Sequence, residues 1–572
     1  MAATSAVQTG ASLHPDLEKT ASRQAHSTVP KDEILADEAD AELLAKLGYK
    51  QELRRNFTMM EVFGIAFSIM GLLPSIASTL SFSIPAGPVG MVWGWFLASG
   101  CIFVVGVAMA DLGSAMPTSG GLYWWYDALL CLAEDSKCVE LPCRVFKYPR
   151  TGWWTLQHRL WLRVDVLCSA SDSSNLRLLI IMFSRIVVAR DGNWEPSNGV
   201  VYAVFLCCVL LHGVLASTLS KVMGKLQTVF VAMNLILIVA TIIALPVGKK
   251  LSSERNDAHY IFAQTENLTT WPTGWAFMLS WLSPIWTIGA FDSCVHISEE
   301  AANAAKAVPY GILMSIGSCW VLGFIIMIVI ASCINPDLEA VLGSSFGQPM
   351  AQIYYDAVGK QGTLGLMSLL FIVQFLMGLS ITVAASRQTW AFSRDGALPF
   401  STFFRPISKK FGYIPLRCVW GCVFLAAILG LLCLIASAAA SALFSLAVAG
   451  NNLAWGTPLF CRVVWGQHKF VPGPFYTGDR FSRPIAWAAI IFLVFGIILA
   501  MFPIGGPNPN PQSMNYTVVI NMAVWGGALA YYFIDARKWF TGPKITVDTL
   551  PENMIAAGLE GVDDGGIEPG PK

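Results

Sequence analysis

Eleven runs of about 20 predominantly apolar residues, each the length needed to cross a bilayer, punctuate this chain and restrict what it can become. They lie near 57–82, 88–110, 199–218, 226–247, 273–295, 309–332, 361–385, 416–437, 439–462, 484–504 and 516–534. Lipid offers no partner to a freed amide or carbonyl, so such runs are read as membrane helices. With 55% hydrophobic and 13% charged residues, the 572-residue chain is an all-α polytopic membrane protein rather than a soluble multidomain one. Its formal net charge is zero, so the bilayer is its expected partner and nucleic acid is not.

Basic residues set the expected orientation. Lys and Arg gather at Lys50, Arg54 and Arg55, at Lys221 and Lys225, from Arg387 to Arg417, from Arg462 to Arg483, and at Arg537, Lys538 and Lys544. All these loops are expected in the cytoplasm. Residues 1–50 and 541–572 are then expected to form cytosolic tails around a transmembrane domain at 51–540. Within the first tail, Asp32 to Leu47 reads equally as a short amphipathic helix or as solvated chain. The N-terminus lacks the charged, apolar and small-residue order of a cleavable signal, and an uncleaved chain is expected. The fourteen cysteines fall mostly within apolar runs, where thiols act as small hydrophobes, so no disulfide framework or metal site is inferred. Asn267-Leu-Thr269 and Asn515-Tyr-Thr517 fall outside, where glycosylation is open to them.

One crossing is missing from this topology. The chain returns inside at Asp111, yet the run at 199 must start outside to place Lys221 and Lys225 inside. Between them Leu178 to Ala189 is too short and carries Arg185.

Two runs are interrupted at membrane depth. In Phe67-Ser-Ile-Met-Gly-Leu-Leu-Pro-Ser-Ile-Ala77, Pro74 lacks a backbone donor and Gly71 weakens the helix beside it. Trp286-Thr-Ile-Gly-Ala-Phe-Asp-Ser293 interrupts the sixth span of a twelve-span count. Matched breaks in two halves mark the substrate site of a secondary transporter. At the first, Pro74 suits the first turn of an outer half-helix whose amides can hold a carboxylate, with Ser68, Ser75 and Ser78 nearby. Ile69 and Met70 offer unwound carbonyls to an ammonium or a coupling cation, and Gly71 permits close approach. The competing reading is a proline kink patched by serine hydroxyls. At the second, Gly289, Ala290 and Phe291 can unwind, and Asp292 puts a carboxylate in the membrane, where it can pair with an amine or cap the inner half-helix. Trp286 and Phe291 could close over the site or pack on a neighbouring span. His296, Glu299 and Glu300 read as an inner gate or relay, or as an ionic network at an exposed helix end paired with Lys306, Arg387 and Arg394.

Three segments carry a family resemblance: Asp111-Leu-Gly-Ser-Ala-Met-Pro-Thr-Ser-Gly-Gly-Leu-Tyr123, Phe291-Asp-Ser-Cys-Val-His-Ile-Ser-Glu-Glu300 and Ser386-Arg-Gln-Thr-Trp-Ala-Phe-Ser-Arg-Asp-Gly-Ala-Leu-Pro399. The chain resembles the amino acid-polyamine-organocation superfamily, and within it fungal GABA and choline permeases, over about 45–540 except 126–185. The resemblance implies twelve spans in a LeuT-like fold, with inverted repeats formed by spans one to five and six to ten. It places the missing third span in the atypical segment. Every Trp codon becomes a Gly codon when read one nucleotide later, and one permitted back-translation of Asp127 to Leu167 gives a small-residue-rich span without interior charge. A frameshifted reading of the gene, with Ser169 to Ser184 as translated intron, is therefore expected there.

The function implied is secondary active transport, by alternating access, of a small amine-bearing solute. GABA or a related amino acid comes first, and choline or a polyamine second. No cofactor is expected. Proton-driven relatives place a lysine in the fifth span, whereas Asn234 stands here and Lys225 lies nearer the end, so proton and sodium both stay open as coupling ion. The resemblance places the protein in the plasma membrane, with the vacuolar membrane as alternative. A non-transporting nutrient sensor is the rival class, and long signalling tails would favour it. An enzyme is not expected, for want of a metal-ligand cluster, nucleophile elbow or phosphate loop.

Overall fold

The computed structural model describes residues 31–55, 57–134, 186–190, 197–219, 222–252, 255–398, 400–431, 437–466, 470–509 and 516–534. Expectations about the remaining residues, including the altered reading frame across most of 126–185, the two outer tails and the Asn515 triplet, lie outside the described residues.

The first described element, α1 (Lys31–Lys46), forms where a short helix or solvated chain was the expectation, and it buries Asp40 and Leu44. The first apolar run divides into α2 (Met59–Met70) and α3 (Leu72–Ser83). Gly71, at φ 44° and ψ 63°, caps α2 in the left-handed region and directly precedes α3. Glycine adopts that conformation without the steric penalty of a Cβ. Pro74 therefore occupies the first turn of the second half-helix, and the break itself lies three residues earlier.

The second run is the continuous α4 (Gly87–Ala115), and α5 (Leu122–Glu134) follows the motif that ends it. Then come α6 (Asn198–Thr218) and α7 (Met223–Ser252), with the short α8 (Ala258–Ala263) in the following loop. The sixth span is divided into α9 (Thr273–Leu279), α10 (Leu282–Thr287) and α11 (Ser293–His296), with non-helical residues from Ile288 to Asp292. After it α12 (Ala304–Cys333) crosses back, and the short α13 (Leu338–Leu342) leads to α14 (Pro349–Arg394), kinked where Gly359 has φ 68°. The small α15 (Ser401–Phe404) precedes α16 (Leu416–Gly430), α17 (Ser437–Val464), α18 (Asp479–Leu499) and α19 (Thr517–Ile534).

Packing follows the exchange of two halves. The second helix of each half packs on the other, α4 on α12, and the fourth on the fourth, α6 on α16. The fifth helix of one half packs on the third of the other, as α7 on α14 and α17 on α5. An odd number of crossings per half reverses the second half in the membrane, which makes the repeat inverted. Small residues let the pairs approach closely, since a Cβ on Gly106 would collide with Ile316 and one on Gly323 with Trp95.

The broken helices sit at the centre. Ile65, Ala66, Leu72, Leu73, Ile288 and Phe291 are fully buried. The outer halves are tied by Thr79 Oγ1 and Ser283 Oγ at 2.8 Å, and the inner halves by contact of α2 with α11.

Candidate functional site

A cavity of about 130 Å³ lies between the two breaks, walled by α2 and α3, the α10–α11 break, α14 and α17. By comparison, an apolar cavity of about 150 Å³ holds a benzene molecule, so the space suits a small organic solute. Of the residues expected to bind substrate, Ile69, Met70, Ser75, Trp286, Gly289, Ala290 and Asp292 line it. Four others sit behind that lining. Ser68 is buried with its hydroxyl unpartnered, and Gly71 is covered by Met377, whose Sδ lies 2.6 Å from where a Cβ would project. Pro74 is buried in the first turn of α3, and Phe291 packs on Trp455 with ring centroids 4.5 Å apart.

At the first break, Ser75 Oγ donates to the Met70 carbonyl at 2.7 Å, and the Ser75 amide donates to Gly71 at 2.8 Å. The serine-patched kink and the cavity lining are thus both present at this one residue. At the second break, Ser293 Oγ donates to the Ala290 carbonyl at 2.6 Å. Asp292 makes no side-chain capping bond to α11. Its carboxylate instead faces His296 Nε2 at 3.8 Å, with about 20% of the side chain exposed. Among the described residues, Asp292 and His296 are the ionisable ones lining the cavity.

Beyond His296 the bundle is closed by ion pairs. Arg394 Nη1 donates to Glu299 at 2.9 and 3.1 Å, and Arg387 Nε donates to Glu300 at 2.7 Å. Glu299 also accepts from the Ser119 amide at 3.0 Å, and His296 Nδ1 lies 3.4 Å from the Ser119 carbonyl. The Arg394 and Glu299 side chains are 0% exposed, so the expectation of a network at an exposed helix end is corrected. The reason is the N-terminal segment. Phe57 bridges residue 301, Tyr49 stacks 3.8 Å beneath the Arg394 guanidinium, and Gln51 Nε2 donates to the Glu299 carbonyl at 2.9 Å. Asp395 accepts from Tyr49 at 2.9 Å and from Tyr123 at 2.6 Å, and burial pushes its carboxyl above the usual range. Asp40 of α1 takes the amides of Asn303 and Ala304 at 2.5 and 3.1 Å, next to Arg55 at 3.4 Å.

Neither coupling candidate reaches the cavity. Lys225 is exposed, and the buried Asn234 donates to the Phe230 carbonyl at 3.0 Å with its Oδ1 unpartnered. Asn267, the glycosylation candidate, already spends its side-chain amide on the Trp271 carbonyl at 2.7 Å.

Several groups were missed from the sequence. Gln388 and Met377 of α14 and Asn451, Asn452 and Trp455 of α17 line the cavity. The adjacent pair Asn451-Asn452 inside an otherwise apolar run was a signal available for reading. Asp111 anchors a second network, accepting from the Thr477 amide at 3.0 Å, Ser482 Oγ at 2.6 Å and Arg462 Nη1 at 3.3 Å.

Known proteins resemble this chain along most of its length. Residues 57–524 match the amino acid permease family. A GABA-specific permease of Saccharomyces cerevisiae is 43% identical over 508 residues, covering 88% of this chain and 86% of that one. An uncharacterised amino-acid permease of Schizosaccharomyces pombe is 34% identical over 525 residues, 91% of this chain and 90% of its own. A crystal structure of a mutant Eremococcus coleocola manganese transporter superposes with a TM-score of 0.50 at 14% identity, over 87% of this chain and 96% of that one. That likeness speaks to the fold alone. The chain belongs to the amino acid permease family and is an integral, multi-pass membrane transporter of the amino acid-polyamine-organocation superfamily.

Proposed function

We propose that this permease carries GABA, or a closely related amino acid, inward across the plasma membrane. The observation that carries the reading is Asp292, a carboxylate at membrane depth that faces the cavity and makes no capping bond. An ionisable group in such a place is retained for function. It offers a counter-charge to a substrate ammonium, and the non-helical Gly289 and Ala290 line the same cavity beside it. The relative specific for GABA supports the choice of solute.

Transport then follows from the broken helices. The buried Glu299–Arg394 and Glu300–Arg387 pairs hold the bundle shut at the end assigned to the cytosol by its basic loops. Rocking of one half against the other opens that end and closes the opposite one around the fixed cavity. His296, between Asp292 and the Ser119 carbonyl, links substrate occupancy to the gate. The test is radiolabelled GABA uptake in a permease-deficient host, competed by GABA, choline and putrescine. GABA competes most strongly on this reading. Stronger competition by choline or putrescine reassigns the substrate, and binding without uptake reassigns the protein as a sensor.

A further inference from the structure

Asn303 opens α12 in the left-handed region, at φ 53°, and its side chain makes no capping bond. The amides of that helix end are met from far away in the chain. Asp40 of α1 accepts from Asn303 and Ala304, supplying the cap that the local sequence lacks, with Arg55 beside it at 3.4 Å. Asp40 is buried, so α1 is docked on the inner end of the bundle.

The chain between α1 and α2 is therefore held on both sides of Tyr49. Behind it stands Asp40. Ahead of it, Gln51 and Arg55 donate to the Glu299 and Ala301 carbonyls at 2.9 and 2.6 Å. The Phe57 amide donates to Glu300 at 3.0 Å, and the Phe57 carbonyl accepts from Ala302 at 2.9 Å. These partners follow α11 in the chain, and α2 packs on α11, so this stretch is bound to the broken helices. Tyr49 reaches the opposite wall. Gly48, at φ 87°, turns the chain out of α1, and the Tyr49 ring lies 3.8 Å from the Arg394 guanidinium while its hydroxyl donates to Asp395 at 2.9 Å. Tyr123 of α5 donates to the same carboxylate oxygen at 2.6 Å, and Leu53 packs with Trp390 of α14 and Cys418 of α16. This socket is built on α14, whose Arg394 and Arg387 must part from Glu299 and Glu300 when the inner end opens.

We infer that Tyr49 is a latch on the inner gate, carried by the broken helices and seated in the α14 socket, and that α1 holds it in register by capping α12 through Asp40. The inference rests on the reading of this end as the cytosolic gate of an alternating-access carrier. The Glu–Arg pairs lie inside the bundle, whereas the latch is reached from the N-terminal tail. Whatever unseats α1 loosens Tyr49 and favours the inward-open state, so the tail regulates how often the gate opens.

Accessibility of the cavity in vesicles carrying the full chain tests this. Ala385→Cys puts a reporter thiol on the cavity wall, which has no cysteine among the described residues. A membrane-impermeant maleimide is added to inside-out or right-side-out vesicles, and labelling of the chain without Ala385→Cys is subtracted. Tyr49→Leu removes both the ring beside the guanidinium and the hydroxyl on Asp395, and is expected to raise labelling from the cytosolic face about tenfold, or ~1.4 kcal/mol. Asp40→Ala leaves Tyr49 and both gate pairs in the chain and is expected to raise it about fivefold. Labelling from the outer face falls in both. Cytosolic-face rates within about twofold of the parent in both variants overturn the latch, as does an equal rise from both faces, which marks a loosened fold. A rise in Tyr49→Leu without one in Asp40→Ala overturns the part assigned to α1. A rise confined to the outer face keeps the latch and overturns the assignment of this end to the cytosol. No substrate enters the measurement, so a wrong choice of solute leaves its outcome unchanged.

Discussion

Replacing Arg394 by methionine removes one member of a pair whose side chains are both 0% exposed. Glu299 then keeps the Ser119 amide at 3.0 Å and loses two charged hydrogen bonds at 2.9 and 3.1 Å. Leaving a buried charge without its partner costs about 3–5 kcal/mol. Tyr49, 3.8 Å from the guanidinium, also loses its cation over the ring, about 1–2 kcal/mol more when desolvated. The assay is reversible unfolding of the purified permease in mixed micelles titrated with a denaturing detergent, run on Arg394→Met, Glu299→Leu and the double variant. The double variant removes both charges, so its loss falls short of the summed single losses by at least about 2 kcal/mol. Single losses below about 1 kcal/mol, or additivity within about 0.5 kcal/mol, would refute the claim that the two charges meet in a buried gate.

Gly71→Ala forces a Cβ into left-handed backbone at about 1–2 kcal/mol and onto the Met377 thioether, adding about 1–3 kcal/mol of overpacking. Uptake falls in that variant and recovers in part when Met377→Ala is added, as read by initial rates at matched surface expression. Burial raises the Asp395 carboxyl, so folding favours its protonated form. As pH falls towards the ordinary carboxylate range at about pH 4, wild-type stability therefore gains on that of Asp395→Asn. A stability difference independent of pH would contradict that sign.

The parts of the site legible in the sequence are those announced by backbone chemistry. Gly71 with Pro74, and Gly289 with Asp292, weaken a continuous membrane helix, and the structure has a break at each. Glu299, Glu300, Arg387 and Arg394 were recognisable as a charged set, since ionisable residues beside apolar runs need partners. Their burial was not legible, because it depends on Tyr49, Gln51 and Phe57 folding across the gate from far away in the chain. The same holds for Asp111, whose partners Thr477 and Ser482 lie more than 350 residues on. The α17 wall was missed for a different reason. The polar pair Asn451-Asn452 stands out in an apolar run, but which neighbour it faces is set only by the register of α17 against the second break, which brings Asn452 and Trp455 to the cavity. Pro74 drew attention to the first break, yet the left-handed residue is Gly71, because proline is readily accommodated in the first turn of a helix.

The central claim is that the cavity between the breaks binds the transported amine through Asp292. Initial rates of labelled GABA uptake by wild type and Asp292→Asn, at equal surface expression and in a permease-deficient host, test it most directly. The amide keeps the shape and removes the charge, so uptake is expected to fall by about 100-fold, the equivalent of ~2.7 kcal/mol lost at a charged hydrogen bond. Uptake by Asp292→Asn within about threefold of wild type would contradict the account.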